Sequence, residues 1–263
     1  MPALTTTLRQ ATAFANRAGL ALVYPNPDIV LPSLWEAVAG PRPVDWAVRD
    51  DAGAFVSFTP EMHRVWRWKD ELPEKRLVCV GKHLGRVATM IATSALPALY
   101  AGYERAGTAA DFRDADLTPL QRDVAECALA TGPLSGPQLR RQLATDDKKG
   151  VAAAIDALQR MLVLTNAGVI EQEHGWPAVA VDVLPRRWAD ALRALPSLDE
   201  ARRSLATIVV RSAGEATAPD VGAVFGWRPR VATAVLDELV DAGALSTRVE
   251  TTFRIYTARR RAT

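Results

Sequence analysis

The sequence predicts an α+β fold in which small helical units each end in a β-hairpin. Two stretches, residues 117–190 and 196–263, carry the same succession of helix, turn and strand patterns. They are offset by roughly 80 residues, and such a repeated order is not expected by chance. Apolar residues make up 49% of the chain and charged residues 24%, so the repeated units are expected to be folded rather than disordered.

The pattern is clearest in residues 196–263. Apolar side chains recur every three or four residues in two longer helices, and Pro229 and Gly243 mark the start and end of the second of these. The predicted elements are a helix over 198–212, a short helix from Pro219, a tight turn at Gly226 and Trp227, a helix from Arg228 to Gly243, and strands over 244–249 and 252–256 with a turn at Glu250 and Thr251. This is the order of a winged helix-turn-helix domain.

Residues 117–190 repeat this order. Thr118 is predicted to cap the first helix, Ser135 the second, and either Asp146 or Asp147 the third. Two strand patterns follow around a polar tip, namely 162–165 and 179–183, with Asn166, Glu171, His174 and Gly175 in the tip. The stretch is therefore interpreted as a second winged helix.

Prolines interrupt the first 116 residues, and the patterns there are less regular. The predicted elements are a helix over 31–38, a hairpin with strands over 45–48 and 54–58, a helix from Thr59 to Pro73, and a hairpin over 76–92. They fit a further winged-helix-like unit with insertions. The chain is thus predicted to contain tandem winged helix-turn-helix domains, three in number, over residues 1–116, 117–190 and 196–263.

Several classes of protein are disfavoured. No apolar run approaches the roughly 18 residues of a membrane span, and the N-terminus lacks a secretory signal, so a cytoplasmic protein is expected. Cys79 and Cys127 are far apart, and the three histidines (His63, His83 and His174) have no ligand-like spacing. We therefore expect reduced cysteines, no metal site and no cofactor.

The winged-helix order predicts double-stranded DNA as the partner, because the third helix of such a domain enters the major groove. The net charge of only +2 gives little support by itself, although all of this excess lies in residues 196–263. Candidate DNA-contacting residues occupy the helix starts, a preceding helix and the last wing: Arg228, Arg230, Thr233, Lys148, Lys149, Arg140, Arg141, Arg248, Arg254 and the terminal Arg259, Arg260 and Arg261. Each is also compatible with an ordinary solvated helix end, wing or tail.

Four segments together resemble one bacterial family: residues 66–73 (WRWKDELP), Gly81-Lys82, residues 94–97 and residues 134–143. The chain resembles the AlkZ-like winged-helix family, specifically its AlkZ-related branch, over most of residues 20–190. The resemblance implies relation to DNA glycosylases that remove alkylated bases and unhook interstrand crosslinks.

Those glycosylases use a Gln-x-Gln or Gln-x-Asp motif near the first domain to position the attacking water. In this chain the first 116 residues contain one glutamine, Gln10, and Ala11 and Thr12 follow it. The only Gln-x-Asp triplet is Gln121-Arg122-Asp123, on the first predicted helix of the second unit. The residues of the motif are therefore not carried over to the first unit.

The segment 66–73 holds the candidates for a chemical site. Trp66 and Trp68 are candidates for stacking on an extruded base, and Asp70 is the candidate catalytic carboxylate that activates water or stabilises an oxocarbenium-like sugar. The alternative is that the tryptophans belong to the core and that Asp70 pairs with a neighbouring base. His63 and His83 are weaker acid/base candidates, because nothing nearby in sequence orients them.

Three functional hypotheses remain open. The first is a DNA-binding protein related to base-excision repair, whether glycosylase-active or not. The second is a transcriptional regulator, which would commonly be a dimer that reads paired half-sites. The third is a protein-interaction scaffold without catalysis. The resemblance favours the first hypothesis, and with it a monomer.

Overall fold

The computed structural model describes residues 4–250 and 253–259 and is an α+β protein with small antiparallel sheets. The first region, residues 4–116, contains, in order, α1 (Leu8–Ala18), β1 (Leu20–Leu22), α2 (Leu34–Ala39), β2 (Ala47–Arg49), β3 (Phe55–Phe58), α3 (Pro60–Glu74), β4 (Cys79–Leu84), β5 (Val87–Ile91), α4 (Leu96–Ala101) and a 3₁₀ turn (Asp111–Asp114). Strands β1, β5 and β4 form one sheet, and β2 and β3 form a separate hairpin.

Side-chain caps fix the helix starts of the first region. The hydroxyls of Thr7, Ser33 and Thr59 each accept a hydrogen bond from the backbone three residues further on. The predicted start of α3 at Thr59 and both predicted hairpins are confirmed. The helix predicted over 31–38 begins later, at Leu34, because Ser33 caps it.

The second region, residues 117–190, contains α5 (Pro119–Thr131), β6 (Leu134–Ser135), α6 (Gly136–Gln142), α7 (Lys148–Arg160), β7 (Leu164–Ile170), β8 (Ala178–Val183) and α8 (Leu184–Arg187). Thr118 and Ser135 are the N-caps of α5 and α6, and Asp147, rather than Asp146, caps α7. Asn166 was predicted in the hairpin tip, but it lies inside β7 and pairs with Val181. Strand β7 extends further than predicted, because its second half continues pairing past a bulge at Asn166–Gly168.

The third region, residues 196–259, contains α9 (Leu198–Ala213), β9 (Glu215–Thr217), α10 (Ala218–Phe225), α11 (Pro229–Asp241), β10 (Leu245–Glu250) and β11 (Phe253–Ala258). The predicted helices and hairpin are present, whereas Thr251 and Thr252, predicted in the turn and second strand, lie outside the described residues. In the second and third regions two strands were not predicted, β6 and β9, and in the first region β1 was not predicted either. Each adds a third strand to its hairpin, and runs of two or three residues are too short to leave a period-two pattern.

The third region packs on the first through α9. Leu205 and Val209 of α9 belong to the same buried cluster as Leu20 of β1 and Leu99 of α4. At Gly19, which ends α1 with φ of 74°, an added Cβ would lie 2.8 Å from Ile208, so the two helices approach too closely for a larger residue.

The first and second regions meet in a buried seam, which comprises Cys79, His83, Gln159 and Thr165. Thr165 Oγ1 donates to the Val80 carbonyl at 3.0 Å and lies 3.4 Å from Cys79 Sγ. His83 Nδ1 lies 2.8 Å from the Gln159 carbonyl oxygen, and the Gln159 side chain accepts from the Lys82 amide at 2.7 Å. These contacts hold β4 beside β7 and α7, and α3 also packs against β7.

Candidate nucleic-acid interface

A cleft of about 680 Å³ lies between α3 and the β7–β8 hairpin. Three aromatic rings line it, because Phe58 ends β3, Trp66 lies on α3, and Trp176 occupies the tip of the β7–β8 hairpin. The ring centroids are 5.7 Å apart for Phe58 and Trp66, 5.8 Å for Phe58 and Trp176, and 6.4 Å for Trp66 and Trp176. We call this site the aromatic cleft.

The aromatic surface continues beyond the cleft onto the β2–β3 hairpin and the loop before it. Trp46 lies 6.4 Å from Trp66 and 5.2 Å from Tyr24, and Phe55 lies 5.5 Å from Phe58. Trp46 and Phe55 are exposed, and Trp176 is 68% exposed. Large exposed aromatic patches are uncommon on a folded protein unless something binds there. Their flat faces suit an unstacked base.

One ion pair lies at the wall of the aromatic cleft. Lys69 Nζ donates to both carboxylate oxygens of Asp70 at 2.8 Å and lies 4.2 Å from the centre of the Trp66 ring. The two side chains are only 17% and 15% exposed. Burial raises the pKa of Asp70 above its ordinary value, the hydrogen bond and charge of Lys69 act against this rise, and the charge of Glu74 adds to it. A carboxyl group with a raised pKa keeps its proton up to a higher pH than an exposed aspartate does.

The structure separates the two tryptophans that the sequence offered for stacking. Trp66 is half-buried and lines the aromatic cleft. Trp68 is fully buried among Val65, Leu72 and the rest of the α1–α2–α3 core, so it is corrected from a stacking residue to a core residue. The reason is helical geometry, because residues two apart on a helix point in different directions.

The histidines also differ. His63 is exposed and lines the aromatic cleft. His83 lies in the buried seam, away from the cleft, where burial lowers its pKa to about 4. His83 is therefore a neutral structural residue near pH 7 and is not a site residue.

Gln10 and Gln121, the two glutamines considered above for the water-positioning motif, cap helix starts. The Gln10 side chain accepts from the backbone amide of Thr7, and the Gln121 side chain accepts from that of Thr118. Neither glutamine lines the aromatic cleft. The Gln121-Arg122-Asp123 triplet is thus part of a helix start.

Sequence reasoning missed Phe58, Trp46 and Trp176 as members of the site. Of the three, Trp176 was the easiest to predict. It is an apolar ring in an otherwise polar hairpin tip, where the sequence gives it no packing role. Its approach to Trp66 depends on the packing of β7 against α3, which no local pattern encodes.

In the third region, the predicted DNA-contacting residues fall into two groups. Arg228, Arg230 and Thr233 are exposed at the start of α11, and the α11 N-terminus has no side-chain cap. The two wing arginines are paired instead: Arg248 with Glu215 at 2.8 Å and Glu250 at 3.0 Å, and Arg254 with Asp237 at 2.7 Å. These acids leave the wing without a free positive charge at Arg248 or Arg254.

Of the predicted tail, Arg259 is exposed, while Arg260 and Arg261 lie outside the described residues. In the second region, Lys148 and Lys149 are exposed at the start of α7, where Asp147 already accepts a hydrogen bond from Gly150. Arg140 and Arg141 of α6 line a shallow depression of about 270 Å³ that they share with Asp146. The basic residues of this region are therefore interleaved with acids.

Both cysteines are free, Cys79 in the seam and Cys127 partly exposed. Within residues 4–250 and 253–259, no three His, Cys, Asp or Glu side chains are grouped so as to hold a metal ion. In the same described part of the chain, no helix combines the length and the apolar character that a membrane crossing requires.

Comparisons with known proteins identify relatives of this architecture. The sequence model of the family described as "AlkZ related" matches residues 5–226. Among solved structures, the DNA glycosylase AlkZ of Streptomyces sahachiroi is similar, with a TM-score of 0.56 and 12% sequence identity over 98% of this chain. The chain spans 65% of the length of that structure. No curated protein matches.

Proposed function

Because this chain belongs to the AlkZ-related family, we propose that it binds double-stranded DNA and acts in base-excision repair, with an extruded base in the aromatic cleft. The aromatic cleft itself is the observation that carries the proposal, because three aromatic rings converge there beside a shielded ion pair. Enzymes that act on a base must take it out of the stack, and stacking on aromatic side chains stabilises the extruded base.

The succession of elements supports tandem winged helices as the means of binding. In the second and third regions, three helices precede a hairpin that a short strand joins as a third strand. In a winged helix the third of these helices meets the major groove, and here α11 presents Arg228 and Arg230 at its exposed start. Phosphate contact at an uncapped helix N-terminus is favourable, because the first backbone N–H groups have no partner within the helix.

The chemistry proposed for the site is hydrolysis of an N-glycosidic bond. Water adds its oxygen to C1′ of the deoxyribose, the bond from C1′ to the base breaks, and the base leaves with the bonding electron pair. Asp70 would accept the proton that the water loses or stabilise the positive charge that develops on the sugar. Lys69 would hold the Asp70 carboxylate in position, since its ammonium group already binds both oxygens.

The test measures duplex binding across a salt series, with and without an alkylated base, together with base release. We expect binding that weakens steeply with salt, tighter binding to the alkylated duplex, and release of the base. Trp176→Ala is expected to lower affinity for the alkylated duplex about tenfold, since stacking is worth roughly 1–3 kcal/mol per base. Asp70→Asn is expected to abolish base release while leaving duplex binding within about twofold.

Phe253→Ala is the matched control, because Phe253 is also an exposed aromatic residue on a hairpin (59%) but lies in the third region. It should leave the preference for alkylated DNA unchanged. Equal losses in Trp176→Ala and Phe253→Ala would argue against a base in the aromatic cleft. Sequence-specific binding by a dimer, with no lesion preference, would favour a regulator, and no binding at low salt would favour a protein-interaction scaffold.

A further inference from the structure

A second cavity, of about 650 Å³, opens at the C-terminal end of α3. The turn after α3, the turn before α4, and α8 with the residues after it enclose the cavity. Its polar lining comes from Arg76, Thr93, Ser94, Arg186, Arg187, Trp188 and Asp190. It shares no lining residue with the aromatic cleft, and we call it the arginine pocket.

Two buried donors in the lining of the arginine pocket have no acceptor. Arg187 is 8% exposed and Trp188 is 5% exposed, and neither Nε of Arg187 nor Nε1 of Trp188 has a hydrogen-bond partner among the described residues. Buried N–H groups are nearly always paired in folded proteins, since an unpaired one costs about 1–3 kcal/mol. Both atoms are shielded from solvent, so the fold leaves Arg187 and Trp188 incompletely paired behind the wall of the pocket.

One of the two terminal nitrogens of Arg187 is occupied by the fold. Its Nη2 donates to the carbonyl of Glu74 at 3.0 Å and to that of Pro73, and so caps the end of α3. Its Nη1 is 4.0 Å from Asp182, at the limit of an ion pair. Capping explains why Arg187 is buried at this position, but it does not explain the unpaired Nε.

Arg76 adds a second positive charge to the pocket. It is exposed and has no ion-pair partner within the described residues. Arg76 and Arg187 line the same cavity, and burial together with the nearby charge of Arg76 lowers the pKa of Arg187. An anion between two like charges would relieve this repulsion.

The other charged residues of the lining are already neutralised. Arg186 binds Asp182 and the carbonyls of Ala128 and Leu129. Asp190, at the rim, contacts Arg193. The positive charge left for a ligand is therefore that of Arg76 and Arg187, and the hydroxyls of Thr93 and Ser94 stand beside it as further donors.

We propose that the arginine pocket binds a phosphate group through Arg76, Arg187 and the hydroxyls of Thr93 and Ser94. A tetrahedral oxyanion matches this set, because its several oxygens accept from guanidinium and hydroxyl donors at once. The same chemistry is available from the backbone of a nucleic acid and from free phosphate. This inference does not depend on the reaction proposed for the aromatic cleft.

The test is titration calorimetry of the whole chain with inorganic phosphate, against sodium chloride at matched ionic strength. Saturable binding is expected for the unaltered protein. Arg76→Asn is expected to weaken phosphate binding about tenfold, because it removes about one hydrogen bond from a charged donor. Asparagine suits the position because Arg76 has φ of 54°, a left-handed conformation that asparagine tolerates. Lys75→Gln is the matched control, since Lys75 is an exposed neighbouring cation outside the pocket.

Competition by duplex DNA distinguishes the two sources of phosphate. If duplex DNA displaces phosphate, and Arg76→Asn lowers the salt slope of DNA binding by about 1, the pocket takes a backbone phosphate. Phosphate binding that duplex DNA does not displace assigns the pocket to a free phosphate compound. Ser94→Ala, an exposed hydroxyl variant that should not disturb folding, is expected to weaken phosphate binding several-fold. Binding no stronger than that of chloride, or equal in Arg76→Asn and Lys75→Gln, would overturn the proposal.

Discussion

The aromatic cleft differs in its chemistry from the helix start and wing of the third region. The cleft presents flat rings and one shielded pair, Lys69 and Asp70, whose charges cancel. The third region presents charged side chains. Acidic residues neutralise both wing arginines, so the positive charge that is exposed comes from Arg228 and Arg230 at the start of α11. The two surfaces are therefore expected to contribute separately, the cleft to base discrimination and the third region to salt-dependent affinity.

The regions also differ in what holds them in place. The walls of the aromatic cleft come from two regions of the chain, and the buried seam joins these regions. The start of α11 and its wing belong to one region with its own helices and sheet. Disturbing the seam should therefore affect the cleft before it affects the third region.

The largest expected effect is an acid sensitivity of the seam. Burial holds the pKa of His83 at about 4, against an ordinary value near 6.5 for an unfolded histidine. The unfolded chain therefore binds the proton more readily, and stability is lost as pH falls from about 6.5 to about 4, by up to roughly 3 kcal/mol. The titratable neighbour Cys79 stays protonated throughout, since burial raises its pKa to about 12.

Urea unfolding at several pH values between 7 and 4 tests this expectation. In His83→Gln the slope of stability with pH should be reduced over that range. His63→Gln is the control, since His63 is exposed on α3 and outside the seam. Identical slopes in the unaltered protein and His83→Gln would show that the seam does not respond to acid.

The order of elements could be predicted because its signals are local. Thr59 and Thr118 followed by proline mark helix starts, and the predicted helix over 198–212 agrees with α9 to within one residue. Each such signal depends on neighbours within one or two helical turns. The pairing of β6 and β9 with their hairpins depends on distant partners and was missed.

The candidate site could be predicted only in part, for the same reason. Asp70 and Trp66 were found because they lie in one helical segment. Trp176 meets Trp66 only after β7 packs on α3, and Arg254 meets Asp237 only after β11 folds back over α11. No local pattern in the sequence indicates that Asp237 would neutralise a wing arginine.

A smaller effect, on the salt dependence of DNA binding, is expected to distinguish the start of α7 from the start of α11. Asp147 caps α7 and lies beside Lys148 and Lys149, whereas α11 starts without a cap. The double variant of Arg228 and Arg230 to glutamine is expected to lower the salt slope of DNA binding by about 2. It should weaken ordinary and alkylated duplexes equally, as measured by fluorescence anisotropy.

The matched comparison is the double variant of Lys148 and Lys149 to glutamine. It should lower the salt slope by less, because Asp146 and Asp147 already offset these charges. If the lysine variant lowered the salt slope more than the arginine variant, the main phosphate contact would lie at the start of α7 and not at the start of α11. A change in lesion preference in either variant would break the separation between the aromatic cleft and the third region.

The smallest expected effect comes from releasing a wing arginine. Asp237 accepts from Arg254 at 2.7 Å and from the Tyr256 hydroxyl at 2.8 Å. In Asp237→Asn the amide oxygen can still accept from Tyr256, while the charge that holds Arg254 is gone. Exposed pairs contribute about 0–1 kcal/mol, so the melting temperature should hardly change. The freed guanidinium should raise duplex affinity severalfold at low salt, whereas Asp237→Glu, which keeps the charge, should not. Unchanged affinity in Asp237→Asn would mean that the wing lies away from DNA, leaving the start of α11 as the contact of the third region.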